Sequence, residues 1–223
     1  MKMKFLAAAA LCLCALPLMG QTLSCNEFCH KARYAEANKT VTARPLAVLF
    51  GDSITDGWAQ KDPEFFTANN LVGRGISGET TSQMLLRFRD DVVALRPKYV
   101  VILAGVNDIA LNQGYSTIDG AVGNIISMCE IARANGISPV LCTPTPANSI
   151  PWRAEVTNVA DKVDQLNFML RSYAALKNIP YVDYWTPLHG EDRGFPAKWA
   201  PDGIHPNPDG YRIMEKLLMQ KLK

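Results

Sequence analysis

Residues 46–55 read Leu-Ala-Val-Leu-Phe-Gly-Asp-Ser-Ile-Thr, an unbroken apolar run that ends in a Gly-Asp-Ser turn. An apolar run without polar alternation indicates a strand that is buried on both of its faces. Four further apolar runs of strand length follow along the chain, at residues 71–76, 99–104, 139–142 and 179–184. The chain is therefore expected to contain about five buried strands.

Helical patterns separate these strands. Apolar residues recur at helical spacing over residues 80–95, 116–135, 153–177 and 208–222, and a shorter helical segment covers residues 26–38. Strands that alternate with helices of this length build a parallel sheet. The prediction is an α/β fold, a flavodoxin-like three-layer α/β/α sandwich. No Ser/Gly-rich linker divides the chain, so residues 21–223 are expected to form one domain, with residues 21–44 as its N-terminal helical segment.

The first twenty residues have the pattern of a secretory signal peptide. Lys2 and Lys4 precede an apolar core over residues 5–18, and Gly20 stands at a plausible cleavage point. This core is shorter than a transmembrane helix requires. Neither Cys12 nor Cys14 follows the Gly or Ala that a bacterial lipoprotein signal needs. The expected product is a soluble exported protein, periplasmic or secreted, with no stable membrane anchor.

Composition excludes several classes of protein. Apolar residues make up 48% of the chain and charged residues 20%, as in ordinary globular proteins. No long basic run is present, so nucleic acid is not an expected partner. Only three histidines occur, which argues against a zinc centre built from several histidines.

Cys25 and Cys29 could form a disulfide in an oxidising compartment, and that pairing stays open.

Polar motifs follow the predicted strands at the edge of the sheet where active sites of this architecture lie. Ser53 stands at a strand-to-helix turn, and Gly78 belongs to the glycine-containing segment 75–81. Asn107 follows the third strand, and Asp202 and His205 are three residues apart near the C-terminus. Each motif alone would be an ordinary turn or helix cap. Together they supply a nucleophile, a base, a group that orients the base, and oxyanion donors.

The order Gly-Asp-Ser-Ile-Thr, Gly-Ile-Ser-Gly-Glu-Thr-Thr, Gly-Val-Asn-Asp and Asp-Gly-Ile-His-Pro-Asn closely resembles the SGNH (GDSL-type) hydrolases. The resemblance runs through nearly all of residues 45–223. It implies ester hydrolysis without metal or cofactor, with Ser53 as nucleophile, His205 as base and Asp202 orienting His205. It also implies an oxyanion hole made by the backbone N–H groups of Ser53 and Gly78 and the Asn107 side chain. Close relatives often have Asn-Arg-Gly where this chain has Gly-Arg-Gly at residues 73–75.

The motif pattern is most similar to the branch containing carbohydrate acetylesterases and proteins that resemble platelet-activating-factor acetylhydrolase. That similarity implies an exported O-acetylesterase acting on small esters or on acetylated sugars and glycans. The alternatives are a lysophospholipase or thioesterase acting on longer acyl chains, and a glycan-binding protein without catalysis. Trp58, Phe195 and Trp199 are predicted to flank the substrate pocket, since aromatic rings suit sugar faces. His30 and His189 are expected to be surface or structural residues.

Overall fold

The computed structural model describes residues 24–222, so the predicted signal peptide lies outside the described residues. Five parallel strands pair in the order β2-β1-β3-β4-β5. Their bounds are β1 Ala47–Gly51, β2 Leu71–Gly75, β3 Tyr99–Leu103, β4 Ser138–Cys142 and β5 Tyr181–Val182. This order is that of a doubly wound flavodoxin-like sheet. The predicted fold class is confirmed.

Ten α-helices surround or precede the sheet within the described residues. They are α1 Cys25–Phe28, α2 Ala35–Lys39, α3 Ser53–Lys61, α4 Pro63–Ala68, α5 Thr81–Asp91, α6 Val106–Ile109, α7 Ile118–Ala134, α8 Val159–Leu176, α9 Trp185–Leu188 and α10 Pro208–Met219. A 3₁₀ turn over Val93–Leu95 follows α5. None of these helices combines the length and the apolar character needed to cross a membrane.

Two hydrophobic layers cover the two faces of the sheet, because successive strand side chains point to opposite sides. Val48 and Phe50 of β1 pack in one layer with buried side chains of α5, α7 and α8. Ala47 and Leu49 pack in the other layer with side chains of α3, α4 and α10. Both layers are buried, which explains why the strands read as unbroken apolar runs.

Two predicted helices differ from the structure. The segment 26–38 divides into α1 and α2, because His30 takes a left-handed backbone conformation with φ 47°. The helix predicted over residues 153–177 begins only at Val159, after Asn158 with φ 55°. The preceding residues form a loop in which Trp152 donates a hydrogen bond to Asn112. This contact joins distant parts of the chain, and the helical spacing of apolar residues did not reveal it. Cys25 and Cys29 are both free thiols.

Candidate active site

Ser53 is the first residue of α3, immediately beyond the carboxyl end of β1. Asp52 caps this helix, and its Oδ1 accepts a hydrogen bond of 3.0 Å from the Ile54 N–H. The Ser53 Oγ lies 2.9 Å from the Nε2 of His205. A hydroxyl in this position is partly exposed at a helix N-terminus, where backbone N–H groups favour negative charge. It is also within hydrogen-bond reach of a base.

His205 lies in the loop before α10 and is held by Asp202. Its Nδ1 is 2.7 Å from Asp202 Oδ2. The other carboxylate oxygen, Oδ1, accepts the backbone N–H groups of His205 at 2.8 Å and of Ile204 at 3.0 Å. Burial raises the pKa of Asp202, but these hydrogen bonds outweigh it and the pKa falls below its usual value. The ionised carboxylate assigns the ring proton to Nδ1 and leaves Nε2 free to accept the Ser53 proton.

The loops that carry Gly78 and Asn107 are joined by hydrogen bonds. Asn107 Nδ2 donates to the Glu79 carbonyl at 3.0 Å, and Asn107 Oδ1 accepts from Asn112 Nδ2 at 2.8 Å. The acceptor bond orients the buried amide, and one of its two N–H groups remains for a further acceptor. Gly78 has φ 81°, a backbone conformation that residues other than glycine rarely adopt. Two of the three predicted oxyanion donors, the Gly78 N–H and the Asn107 amide, therefore lie on loops that hydrogen bonds join to each other.

A buried arginine holds this edge of the sheet together. Arg87 is fully buried on α5 and pairs with Glu79 at 2.6 Å and with Asp91 at 2.9 Å. Its guanidinium also donates to the carbonyls of Gly51 at 3.2 Å and Arg74 at 3.1 Å. Burial raises the pKa of Glu79 despite the adjacent guanidinium. Sequence reasoning missed Arg87, although its place on the apolar side of a predicted amphipathic helix was a usable signal.

The N-terminal segment contacts the carboxyl-terminal end of β2. Arg74 Nε donates to Asn38 Oδ1 at 2.7 Å, and the Tyr34 hydroxyl donates to the Gly75 carbonyl. Gly75 permits a close approach of chains, since a Cβ there would lie 2.2 Å from the backbone nitrogen of Asp56. An Asn at position 73 would be crowded as well, because a Cβ there would lie 2.7 Å from the Ala59 Cβ. Side chains of the N-terminal segment thus support the end of β2, the strand in which position 73 is a glycine.

Two of the three aromatic residues predicted to flank the pocket are buried instead. Trp58 is 1% exposed, and its Nε1 donates to Glu215 Oε1 at 3.0 Å. It stacks on Tyr211 with ring centroids 5.4 Å apart. Five residues along a helix turn a side chain roughly 140° away from Ser53, which directs Trp58 into the core. The prediction for Trp58 is therefore wrong.

Phe195 is 5% exposed in the same hydrophobic layer as Trp58, so the pocket prediction is wrong for it too. The ring packs inward because its loop is folded against the sheet. Trp199 is half-buried and packs against that layer, with the Lys198 ammonium 3.8 Å from its ring centroid. A role of Trp199 in substrate binding stays a prediction.

Trp152 and Asn112 lie at the site and were not predicted. The ring of Trp152 faces that of His205, with centroids 6.1 Å apart and planes inclined by 27°. Its Nε1 donates to Asn112 Oδ1 at 2.9 Å. Neither residue belongs to a motif. The available signal was an aromatic residue in the loop beyond the carboxyl end of β4, the edge where such sheets bind ligands.

The two other histidines make contacts away from Ser53. His30 Nδ1 lies 3.2 Å from Glu79 Oε1, and the His189 ring stacks on Trp185 at 3.9 Å between centroids. Within residues 24–222 no group of three or more His, Cys, Asp or Glu side chains is arranged to hold a metal ion. His205 and Asp202 form the hydrogen-bonded line that starts at Ser53, and Asp52 caps the helix that Ser53 begins.

Asp52 should make the stability of the protein depend on pH. Complete burial raises the pKa of Asp52 to about 7, and the Ile54 N–H offsets this only in part. An unfolded carboxyl has a pKa near 3.9, so between these values the unfolded chain binds fewer protons and stability falls as pH rises. Between pH 5 and 8 the free energy of unfolding should therefore fall less in Asp52→Asn than in the wild type, by on the order of 2 kcal/mol. Urea unfolding at the two pH values measures this difference.

The matched control for that experiment is Asp209→Asn, an exposed carboxyl in the first turn of α10. It should leave the pH dependence of the wild type unchanged. Equal pH dependence in Asp52→Asn and the wild type would contradict the titration assigned to Asp52.

Comparison with known proteins places this geometry in a family. The model of the GDSL-like lipase/acylhydrolase family matches residues 49–213. The crystal structure of a GDSL-like lipase from Bacteroides thetaiotaomicron is 42% identical, with a TM-score of 0.85. The match covers 88% of this chain and 98% of that one.

Three curated relatives are more distant. The uncharacterized lipoprotein YqeF of Bacillus subtilis is 28% identical, over 75% of this chain and 85% of its own. An isoamyl acetate-hydrolyzing esterase 1 homolog of Bos taurus is 26% identical, over 74% and 76% of the two chains. An acetylxylan esterase of Geobacillus stearothermophilus is 22% identical, over 68% and 71%.

The family match spans most of the chain and includes the segments that carry Ser53, Gly78, Asn107 and His205. The resemblance inferred from the four motifs is therefore confirmed. This chain belongs to the GDSL-like lipase/acylhydrolase family and is a carboxylic ester hydrolase.

Proposed function

We propose that the protein is an exported O-acetylesterase that removes acetyl groups from sugars or glycans through Ser53, His205 and Asp202. The observation that carries the proposal is the continuous line of hydrogen bonds from Ser53 Oγ to His205 and on to Asp202, at 2.9 and 2.7 Å. A serine hydroxyl is a weak nucleophile at neutral pH. A neutral imidazole in this position supplies the base that it needs.

The reaction follows from these positions. Ser53 Oγ attacks the ester carbonyl while its proton passes to His205 Nε2, and Asp202 stabilises the resulting imidazolium. The oxyanion receives hydrogen bonds from the backbone N–H groups of Ser53 and Gly78 and from Asn107 Nδ2. The intermediate collapses to an acyl-Ser53, and His205 returns the proton to the departing alkoxide. Water then attacks the acyl group with His205 as base, which releases the carboxylic acid and restores Ser53.

The choice of acetyl as the acyl group is supported by two relatives. The Bos taurus relative is named for the hydrolysis of isoamyl acetate and the Geobacillus relative for acetylxylan, and both are acetate esters. These names differ in the alcohol, from a small branched alcohol to a sugar polymer. Acetyl is therefore the feature that the two names share.

Export is part of the proposal because of residues 1–20, whose charged and apolar pattern is that of a signal peptide. The Bacillus relative is named a lipoprotein, and lipoproteins are a class of exported proteins. This chain has no Gly or Ala before Cys12 or Cys14, so we propose a soluble product without a lipid anchor.

A chain-length series tests the acyl preference. We expect kcat/KM on p-nitrophenyl esters to be highest for acetate and about tenfold lower or more for octanoate, since an eight-carbon chain would overfill a pocket that fits acetyl, at a cost of about 1–3 kcal/mol. A chelator in the assay should leave turnover unchanged. Activity that peaks at eight or more carbons would favour the lysophospholipase or thioesterase alternative. Tight binding on a glycan array without hydrolysis of any ester would favour the glycan-binding alternative.

A further inference from the structure

Trp152 presents a large exposed aromatic surface beside the proposed base. Trp152 is 42% exposed in the loop between β4 and α8. One side of the indole faces the His205 ring at 6.1 Å between centroids. A tryptophan left open to water next to a catalytic group is the kind of residue that a bound ligand covers.

The indole is held in place by the site itself. Trp152 Nε1 donates to Asn112 Oδ1 at 2.9 Å, and Asn112 Nδ2 donates to Asn107 Oδ1 at 2.8 Å. Asn112 therefore satisfies the polar edge of the indole and orients the oxyanion amide with the same side chain. A ring fixed in this way loses little conformational freedom when a ligand packs on it.

The position of Trp152 determines which half of an ester it can meet. In the tetrahedral intermediate the oxyanion faces Gly78 and Asn107, while the departing alcohol oxygen must lie within hydrogen-bond reach of His205 Nε2. A surface that adjoins the imidazole therefore lies beside the alcohol portion of the substrate.

We propose that Trp152 forms the binding subsite for the alcohol portion, as a flat platform for a ring-bearing alcohol such as a pyranose. The apolar C–H face of the sugar packs on the indole while its ester oxygen reaches His205. This proposal rests on the proposed Ser53 mechanism and adds the specificity-determining residue for the alcohol. Trp152 would also supply the aromatic platform that the buried Trp58 and Phe195 do not.

The test compares two acetate esters that share one acyl-enzyme but differ in the alcohol, an acetylated methyl xyloside and ethyl acetate. We expect Trp152→Ala to lower kcat/KM about tenfold or more for the xyloside ester, mainly through KM, and by less than about twofold for ethyl acetate. Trp152→Phe keeps a flat ring and should retain most of the preference for the xyloside. Phe168→Ala removes another exposed aromatic, on α8, and should change neither value.

A second readout follows the reverse transfer. Acetyl-Ser53 formed from p-nitrophenyl acetate can pass its acetyl group to methyl xyloside in place of water, which yields the xyloside acetate and free Ser53. Trp152→Ala should lower the ratio of transfer to hydrolysis about tenfold or more, while the rate of hydrolysis of the acetyl-enzyme stays near that of the wild type. A purely structural defect would lower both rates together.

Equal losses on both esters, or an unchanged transfer ratio, would overturn the alcohol subsite and leave the proposed esterase function standing. Absence of turnover by the wild type on every acetate ester would overturn both proposals. A preference for the xyloside that is lost in Trp152→Ala and restored in Trp152→Phe would support the subsite.

Discussion

Replacing Ser53 with alanine is expected to lower kcat on p-nitrophenyl acetate by about 10⁴-fold or more. The variant lacks the hydroxyl that becomes acylated in the proposed mechanism. His205 could at best activate a water molecule in its place, and the oxyanion donors would remain. Residual activity above the uncatalysed rate is therefore expected, but no burst of acyl-enzyme formation. Stopped-flow release of nitrophenol measures both quantities.

Two further variants make this test specific. His205→Ala should fall to a similar rate, and the double variant should fall little further, because the members of such a group act as a unit. The Ser53→Ala variant should keep the melting temperature of the wild type within a few degrees, since the side chain is small and partly exposed. Wild-type turnover in folded Ser53→Ala would show that the nucleophile is another residue.

Replacing Arg87 with methionine is expected to lower the free energy of unfolding by about 3–5 kcal/mol. The substitution removes the cation from a buried cluster and leaves Glu79 and Asp91 without their guanidinium partner. The carbonyl of Gly51 loses a hydrogen-bond donor as well. For a domain of this size the melting temperature should fall by roughly 10 °C. Urea unfolding and thermal melting measure the loss.

The pH dependence of that loss identifies its cause. Burial raises the pKa of Glu79, and removing the guanidinium takes away the main charge that opposes this rise, whereas Glu79 has its usual pKa in the unfolded chain. The folded protein then binds more protons than the unfolded chain above pH 4, and its stability falls as pH rises. The defect of Arg87→Met should therefore be larger at pH 8 than at pH 5. Arg89→Met, an exposed position on the same helix, is the matched control and should change stability little. Equal stability of the two variants would contradict the role assigned to Arg87.

The stability of this cluster and the geometry of the site are connected through the backbone. Arg87 donates to Gly51, two residues before Ser53, and pairs with Glu79, the residue after Gly78. The Glu79 carbonyl accepts from Asn107. A single buried cation thus ties together the chain segments that carry Ser53, Gly78 and Asn107. This arrangement gives the loops of the site a rigid support.

The sequence by itself determined the features that depend on short stretches of chain. The apolar runs predicted the five strands, because a strand buried on both faces needs apolar side chains on both. The turn at Ser53 and the Asp-His pair at residues 202 and 205 were readable because their spacing is local. Since the ends of parallel strands share one edge of the sheet, the fold itself placed these motifs together.

Only the tertiary structure decided which side chains turn inward and which distant segments meet. Trp58 follows Ser53 by five residues, yet the helix directs it into the core. Trp152 and His205 belong to loops separated by α8, β5 and α9, and their contact depends on how both loops fold over the sheet. Arg87 became a support of the site because its carboxylate and carbonyl partners come from three different segments. Contacts of this kind arise from packing between distant parts of the chain, and no local pattern of residues records them.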